Sequence, residues 1–154
     1  MACWLGAALF FSVVVAPAAF GVLRSFALPN AGEIAGAIVN RSLGVVNVSG
    51  FVIGLIALLT GLLLRGSSSR GLWFVLQTTS LLILTVATAV GHWIIAARIH
   101  ALRTGNQVRI DQLAANDPTK ILFDSLHGYS VQALGLAMIA ALVALLAITR
   151  SFKN

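Results

Sequence analysis

The chain has 154 residues, of which 59% are hydrophobic and only 9% charged, and its mean hydropathy is +0.99. A soluble domain usually has roughly a quarter of its residues charged, and one of this size has too little interior to hide so much apolar side chain, so a water-soluble globule is excluded. The net charge of +6 is no nucleic-acid footprint either: ten Lys and Arg residues are scattered between apolar blocks, with no basic stripe and no interleaved aromatics. They read as topology signals and headgroup-level anchors for a lipid bilayer. The single cysteine, Cys3, rules out an intrachain disulfide and any cysteine-based metal cluster.

Taken in chain order, the first uncharged stretch runs from Cys3 to Leu23. It lacks a basic n-region and is too long for a signal-peptide h-region, so it reads as a retained span despite the small-residue run at Ala16-Pro17-Ala18. Pro17 is expected to kink it near its polar end. Pro29-Asn30 stops the chain, and Asn30 with Glu33 three residues on has the logic of a capping box. A short extra helix follows over Ala31–Val39, either lying at the interface or running directly into the second span, Ser42–Leu64. Gly50 and Gly54 in that span, and Gly32 and Gly36 in the short helix, have the G-x-x-x-G spacing that permits close helix approach. Packing within the bundle is favoured over dimerisation for both.

The tight polar turn Arg65–Arg70 predicts that the second and third spans are antiparallel neighbours. The third span, Gly71–Ala97, has His92 as its only ionisable residue. The longest and most polar connection, Arg98 to Lys120, contains a helix end at Thr104-Gly105-Asn106 and a helix start at Asp117-Pro118, with Asp as cap and Pro at the first helical position. The fourth helix therefore begins before its membrane span, Gly128–Thr149. Each stretch reaches the roughly 20 residues that cross about 30 Å of hydrocarbon. Period-two alternation, which a β-barrel requires, is absent. The expected fold is all-α: a single domain over residues 1–154, built as an integral membrane bundle of four transmembrane helices.

An even number of spans puts both termini and the Ser-rich turn on one side. Arg65, Arg70, Arg150 and Lys153 are packed against the span ends there without acids; a bare count of Lys and Arg favours the opposite side as cytoplasmic, but charge density in the short connections favours this one, and the termini are expected in the cytoplasm. The other face collects Arg24, Glu33, Asn40, Arg41, His92, Arg98, His100, Arg103, Asp124, His127 and Ser130. Asp124 and His127, at i and i+3, are neighbours on a helix and suit a metal, a proton shuttle or a bound ion, or else a local hydrogen bond. His92 is an ionisable side chain inside a span, in line with Thr85 and Thr88; it reads as part of a polar track, as a ligand to haem or another tetrapyrrole, or as an interhelical hydrogen-bonding residue. No nucleophile–base pair, phosphate loop or zinc signature is visible.

Several segments resemble the transmembrane protein 205-like family: Trp4-Leu5-Gly6 leading to Ala16-Pro17-Ala18-Ala19-Phe20, then Ala31-Gly32-Glu33-Ile34-Ala35-Gly36, then Arg98-Ile99-His100-Ala101-Leu102-Arg103, then Phe123-Asp124-Ser125-Leu126-His127-Gly128-Tyr129-Ser130. The resemblance implies a four-helix membrane domain without an established activity. It marks Ala16, Pro17, Phe20, Gly32, Gly36, Arg103, Phe123, Asp124, His127 and Ser130 as the matching positions. At His92-Trp93 and Ala96-Ala97 the chain departs from that pattern, which sets His92 apart from the shared positions. Three function classes follow. A packing or accessory subunit of a larger membrane complex, or a homo-oligomer, stands first. A small-molecule or ion handler using the polar cluster comes next, and a cofactor- or metal-binding protein using His92, Asp124 and His127 last.

Overall fold

The structure is a computed structural model that describes residues 1–28, 30–63, 71–105 and 108–151, and the side chains of all of these but 111 and 151. Four long helices make up the protein: α1 (Ala2–Ser25), α2 (Ala31–Leu63), α3 (Leu72–Gly105) and α4 (Pro118–Ser151). All four are long and apolar enough to cross a membrane. A short 3-10 turn, Ile110–Gln112, lies between α3 and α4. The expected stop at Pro29, the turn at Arg65–Arg70, and Leu64, Asn106 and Lys153 fall outside the described residues.

The helices outrun the apolar stretches at the polar end. Of the two arrangements expected for the helix over Ala31–Val39, the structure has the one that runs directly into the second span: these residues are the first turns of α2. Asn40 and Arg41 interrupt the hydropathy, yet neither is a proline or glycine, so the backbone hydrogen bonding runs through them. For the same reason α3 continues past Arg98 to Gly105. The start of α4 is where the Asp-Pro signal puts it. Asp117 Oδ1 accepts the Thr119 N–H at 2.7 Å, and Pro118 occupies the first position, where no N–H is needed.

Two π-helical turns interrupt the α geometry, at Phe11–Val15 in α1 and Val90–Ala96 in α3. The first precedes Pro17, whose ring would otherwise crowd the carbonyl one turn back and which has no N–H to donate to it; the wider turn relieves that conflict. Helix α1 ends through Ala27 in the left-handed region (φ 51°), its N–H donating to the Arg24 carbonyl at 3.1 Å.

Glycine sets the register between α2 and α3. A Cβ built on Gly44 would meet His92; on Gly50, Thr88; on Gly54, Thr85 and Leu84; on Gly61, Gln77. Numbers rise along α2 as they fall along α3, so the two helices are antiparallel, as the sequence led us to expect. Lipid tails are as apolar as leucine, so helices associate through close packing rather than through a hydrophobic drive, and small residues make that packing possible. Helix α4 does with alanine what α2 does with glycine: Ala137, Ala140, Ala141, Ala144 and Ala147 are all buried, and most of them share one core with Leu81 and Leu84 of α3. Outward-facing residues such as Leu63, Val86, Ile139 and Leu146 are exposed, as lipid contact requires.

Helix α1 is pinned to α2 by Trp4. Its ring packs on Gly50 and its indole N–H donates to the Val46 carbonyl at 2.9 Å. A Cβ on Gly50 would stand 2.6 Å from that ring and 2.9 Å from the Thr88 methyl. Gly50→Ala should therefore cost about 1–3 kcal/mol, the range for overpacking, read as a lower unfolding midpoint in mild detergent. Gly135→Ala should leave the midpoint unchanged or slightly raised, because a Cβ there meets nothing within 4 Å. Equal effects of the two would contradict the Trp4–Gly50 contact.

Candidate functional site: a cationic cavity at the polar end of the bundle

Lys120, Phe123, His127 and Ser130 recur at helical spacing, so the capped start of α4 lays them along one face. Opposite them, Gly32, Gly36 and Asn40 repeat every four residues along α2. The end of α1 brings Phe20 and Arg24, the end of α3 brings Ile99 and Arg103, and the 3-10 turn adds Ile110. Together they enclose a cavity of about 300 Å³, at the lower edge of the size range of small-ligand sites. Its walls are mostly apolar, with a few polar groups converging.

Arg103 is the central side chain. Its guanidinium lies directly on Gly36, whose missing side chain makes the room. Its plane sits over the Phe123 ring at 5.3 Å to the centroid. Its Nε is buried and has no hydrogen-bond partner among the described residues. The π turn in α3 helps put it there. Gly91, Ile95 and Ile99 are buried at intervals of four, and Arg103 continues the series. In a plain α-helix each step of four drifts by about 40° around the axis, which over three steps would turn Arg103 well away from Gly91's face. The wider turn over Val90–Ala96 takes up part of this drift.

Three cations, Arg24, Arg103 and Lys120, line the cavity against one carboxylate, Glu33. No ion pair joins Glu33 to Arg24 or Arg103 among the described residues. Arg24 is exposed and rests over Phe20 at 5.9 Å. Lys120 pairs at 3.7 Å with Asp124, whose side chain is 62% exposed and does not line the cavity. The cavity thus carries an excess of positive charge next to apolar walls. Guanidinium groups suit phosphate and carboxylate oxygens, which they can engage in pairs.

The residues singled out from the sequence separate in the structure. Arg24, Glu33, Arg103, His127 and Ser130 line the cavity, with Gly32 and Gly36 in its wall. Arg98 is exposed and lines no cavity described here. Asp124 and His127 share no hydrogen bond among the described residues; Asp124 turns to Lys120, one helical turn earlier, because an ion pair at i, i+4 is available. His92 lines a second, open groove between α2 and α3, beside Gly44, and its Nδ1 is buried without a partner. Thr85 and Thr88 donate to the Leu81 and Leu84 carbonyls of their own helix, both at 2.8 Å. Among the described residues no three His, Cys, Asp or Glu side chains come together to hold a metal ion. Lys120 was not read from the sequence as a site residue, and Phe20 entered only as a position matching the family resemblance. The spacing Lys120, Phe123, His127 would have found the first.

A family model described as a domain of unknown function, DUF4149, matches residues 1–107, more than half of the chain, and the protein belongs to that family. No curated protein and no solved structure matches it. The matched region holds α1, α2 and α3 with Arg24, Glu33, Gly36 and Arg103, while the α4 wall of the cavity lies beyond it.

A Cβ at Gly36 would collide with the far end of a flexible side chain rather than with backbone. Gly36→Ala should therefore displace the Arg103 guanidinium, seen as a shifted Arg103 Nε resonance in a nitrogen–proton NMR spectrum. Its cost in stability should stay under about 1 kcal/mol, below that of overpacking a rigid core site. An unmoved resonance would mean that Arg103 does not lie on Gly36.

Proposed function

We propose that this member of the DUF4149 family is a membrane-embedded binding protein for a small phosphate-class anion, held in the cavity at the polar end of its bundle. One observation carries this reading: Arg103 is held on Gly36 with a buried, unpartnered Nε, in a cavity where cations outnumber acids. A buried donor without an acceptor is uncommon in a folded protein. Arg24 and Lys120 add charge from the opposite walls, and Asn40, Ser130 and His127 add polar groups that can orient a ligand. The resemblance to the transmembrane protein 205-like family agrees with this architecture and brings no activity with it. With both termini in the cytoplasm, as the Arg and Lys residues beside the span ends favour, the cavity opens on the opposite side.

This reading ranks ion or small-molecule handling above an accessory role. The exposed apolar residues of the helices are what lipid contact requires, and they single out no protein partner. His92 and His127, the histidines first considered for a cofactor, line different cavities.

The test is a titration of the purified protein in mild detergent with inorganic phosphate and with glycerol 3-phosphate. A hydrogen bond to a charged group contributes about 1.5–3 kcal/mol, so Arg103→Gln should weaken binding roughly 10- to 100-fold. Arg98→Gln removes the same charge from the same helix end but outside the cavity, and should change affinity by less than about twofold. No binding by the wild type, or equal losses in both variants, would sink the proposal.

A further inference from the structure

We infer that the anion is the headgroup of a phospholipid, and that one acyl chain of this lipid lies in the open groove between α2 and α3. The inference rests on the anion reading above and extends it to a ligand class. The groove is separate from the cavity in shape: it is open along its side and about 1190 Å³ in volume. It is nonetheless continuous with the cavity in its lining, because Glu33, Asn40 and Arg103 belong to both. Arg103 stands at the junction.

The groove changes character along its length. Around Arg103 it is polar, with Arg41, His100 and Thr104; further along it becomes mostly apolar, with Val45, Val48, Val52 and Trp93 beside Ser49 and His92. From Glu33 to Val52 the α2 backbone rises about 28 Å at 1.5 Å per residue, of which the apolar part from Val45 to Val52 is about 10 Å, enough to seat the upper part of an acyl chain. Small residues keep it open. Gly44 presents no side chain, and a Cβ there would touch only His92, at 3.7 Å; Ala96 and Ala97 line the α3 side. On its far wall Trp93 is braced edge-on against Phe51, with ring centroids 4.9 Å apart.

Charge and polarity together choose the occupant. A free phosphate would use the cavity and leave the groove without purpose. A helix from another protein would satisfy the apolar stretch but would have to bury Arg41 and Arg103 against it. A molecule that joins an anion to a long apolar chain matches both parts at once, and in a bilayer the abundant molecule of that chemistry is an anionic phospholipid. Arg103 would hold its phosphate, while the chain runs past Gly44 towards Val52.

The experiment uses the full chain in phosphatidylcholine vesicles containing phosphatidylglycerol with a photoreactive diazirine on one acyl chain. After illumination, adducts are located by mass spectrometry. Adducts at Val48, Val52 and Trp93 should exceed those at Ile139 and Leu142 several-fold; both of these α4 residues are exposed outside the groove, at 63% and 49%. Val48→Trp, at an exposed groove position, should cut groove adducts several-fold and leave glycerol 3-phosphate affinity within about twofold. Ala97→Trp, on the opposite wall, should do the same should the first variant fail to fold. Arg103→Gln should lower both readouts. Adducts spread equally over the groove and the α4 face, with glycerol 3-phosphate still bound through Arg103, would overturn the lipid inference alone. Should neither readout respond to Arg103→Gln, the anion reading falls and the lipid inference with it.

Discussion

The structure depends on how closely α2 can approach its neighbours. In lipid, burying one apolar side chain against another gains little over leaving it against an acyl chain, so helix association rests on surface fit. Along α2 that fit is made by missing side chains. Gly50 admits the Trp4 ring and the Thr88 methyl, and Gly54 admits Thr85 and Leu84. The Trp4 indole then reaches a main-chain carbonyl of α2, turning a packing contact into a directional one. With α2 set against α1 and α3, the alanine face of α4 completes the core.

The same device, moved towards the polar end, shapes the candidate site. At Gly36 the room left by the missing side chain is taken by a guanidinium instead of a ring. Arg103 is half-buried with its Nε shut off from solvent, and a guanidinium in an apolar setting is costly unless something compensates its charge. Here Phe123 offers its ring face, and the cavity wall carries Glu33 at a distance that forms no ion pair among the described residues. The local balance is left positive, which makes the cavity suited to an anion. The π turn belongs to this arrangement: it carries the buried stripe of α3 through to Arg103 without a break in the helix, in keeping with the tendency of such turns to accompany functional sites.

Much of the architecture was legible before any coordinates. Four spans followed from apolar length, and the start of α4 from Asp117-Pro118. The gathering of polar residues at one end followed from the parity of the spans. Other features were not. The sequence left open whether residues 31–39 form a separate interfacial helix or run directly into the second span; they run on, because a charged residue ends an apolar stretch without ending backbone hydrogen bonding. The pairing of Asp124 with His127 was an equally good reading of i, i+3 spacing until Lys120 proved to be the nearer partner.

The sequence by itself determined the solvent, the number of helices and the end of the bundle where chemistry gathers, because these depend on composition and on spacing along one chain. Only the tertiary structure decided which polar residues share a cavity. Arg98 and Arg103 are alike in the sequence, both basic and both near the end of α3, yet one faces outward and the other lies on Gly36. Their spacing of five residues puts the two about 140° apart around α3, and the room for one of them is left by a glycine far away in the chain. Which of the two meets that glycine cannot be assigned until the helices are packed, since helix rotation and interhelical register are properties of the packed bundle.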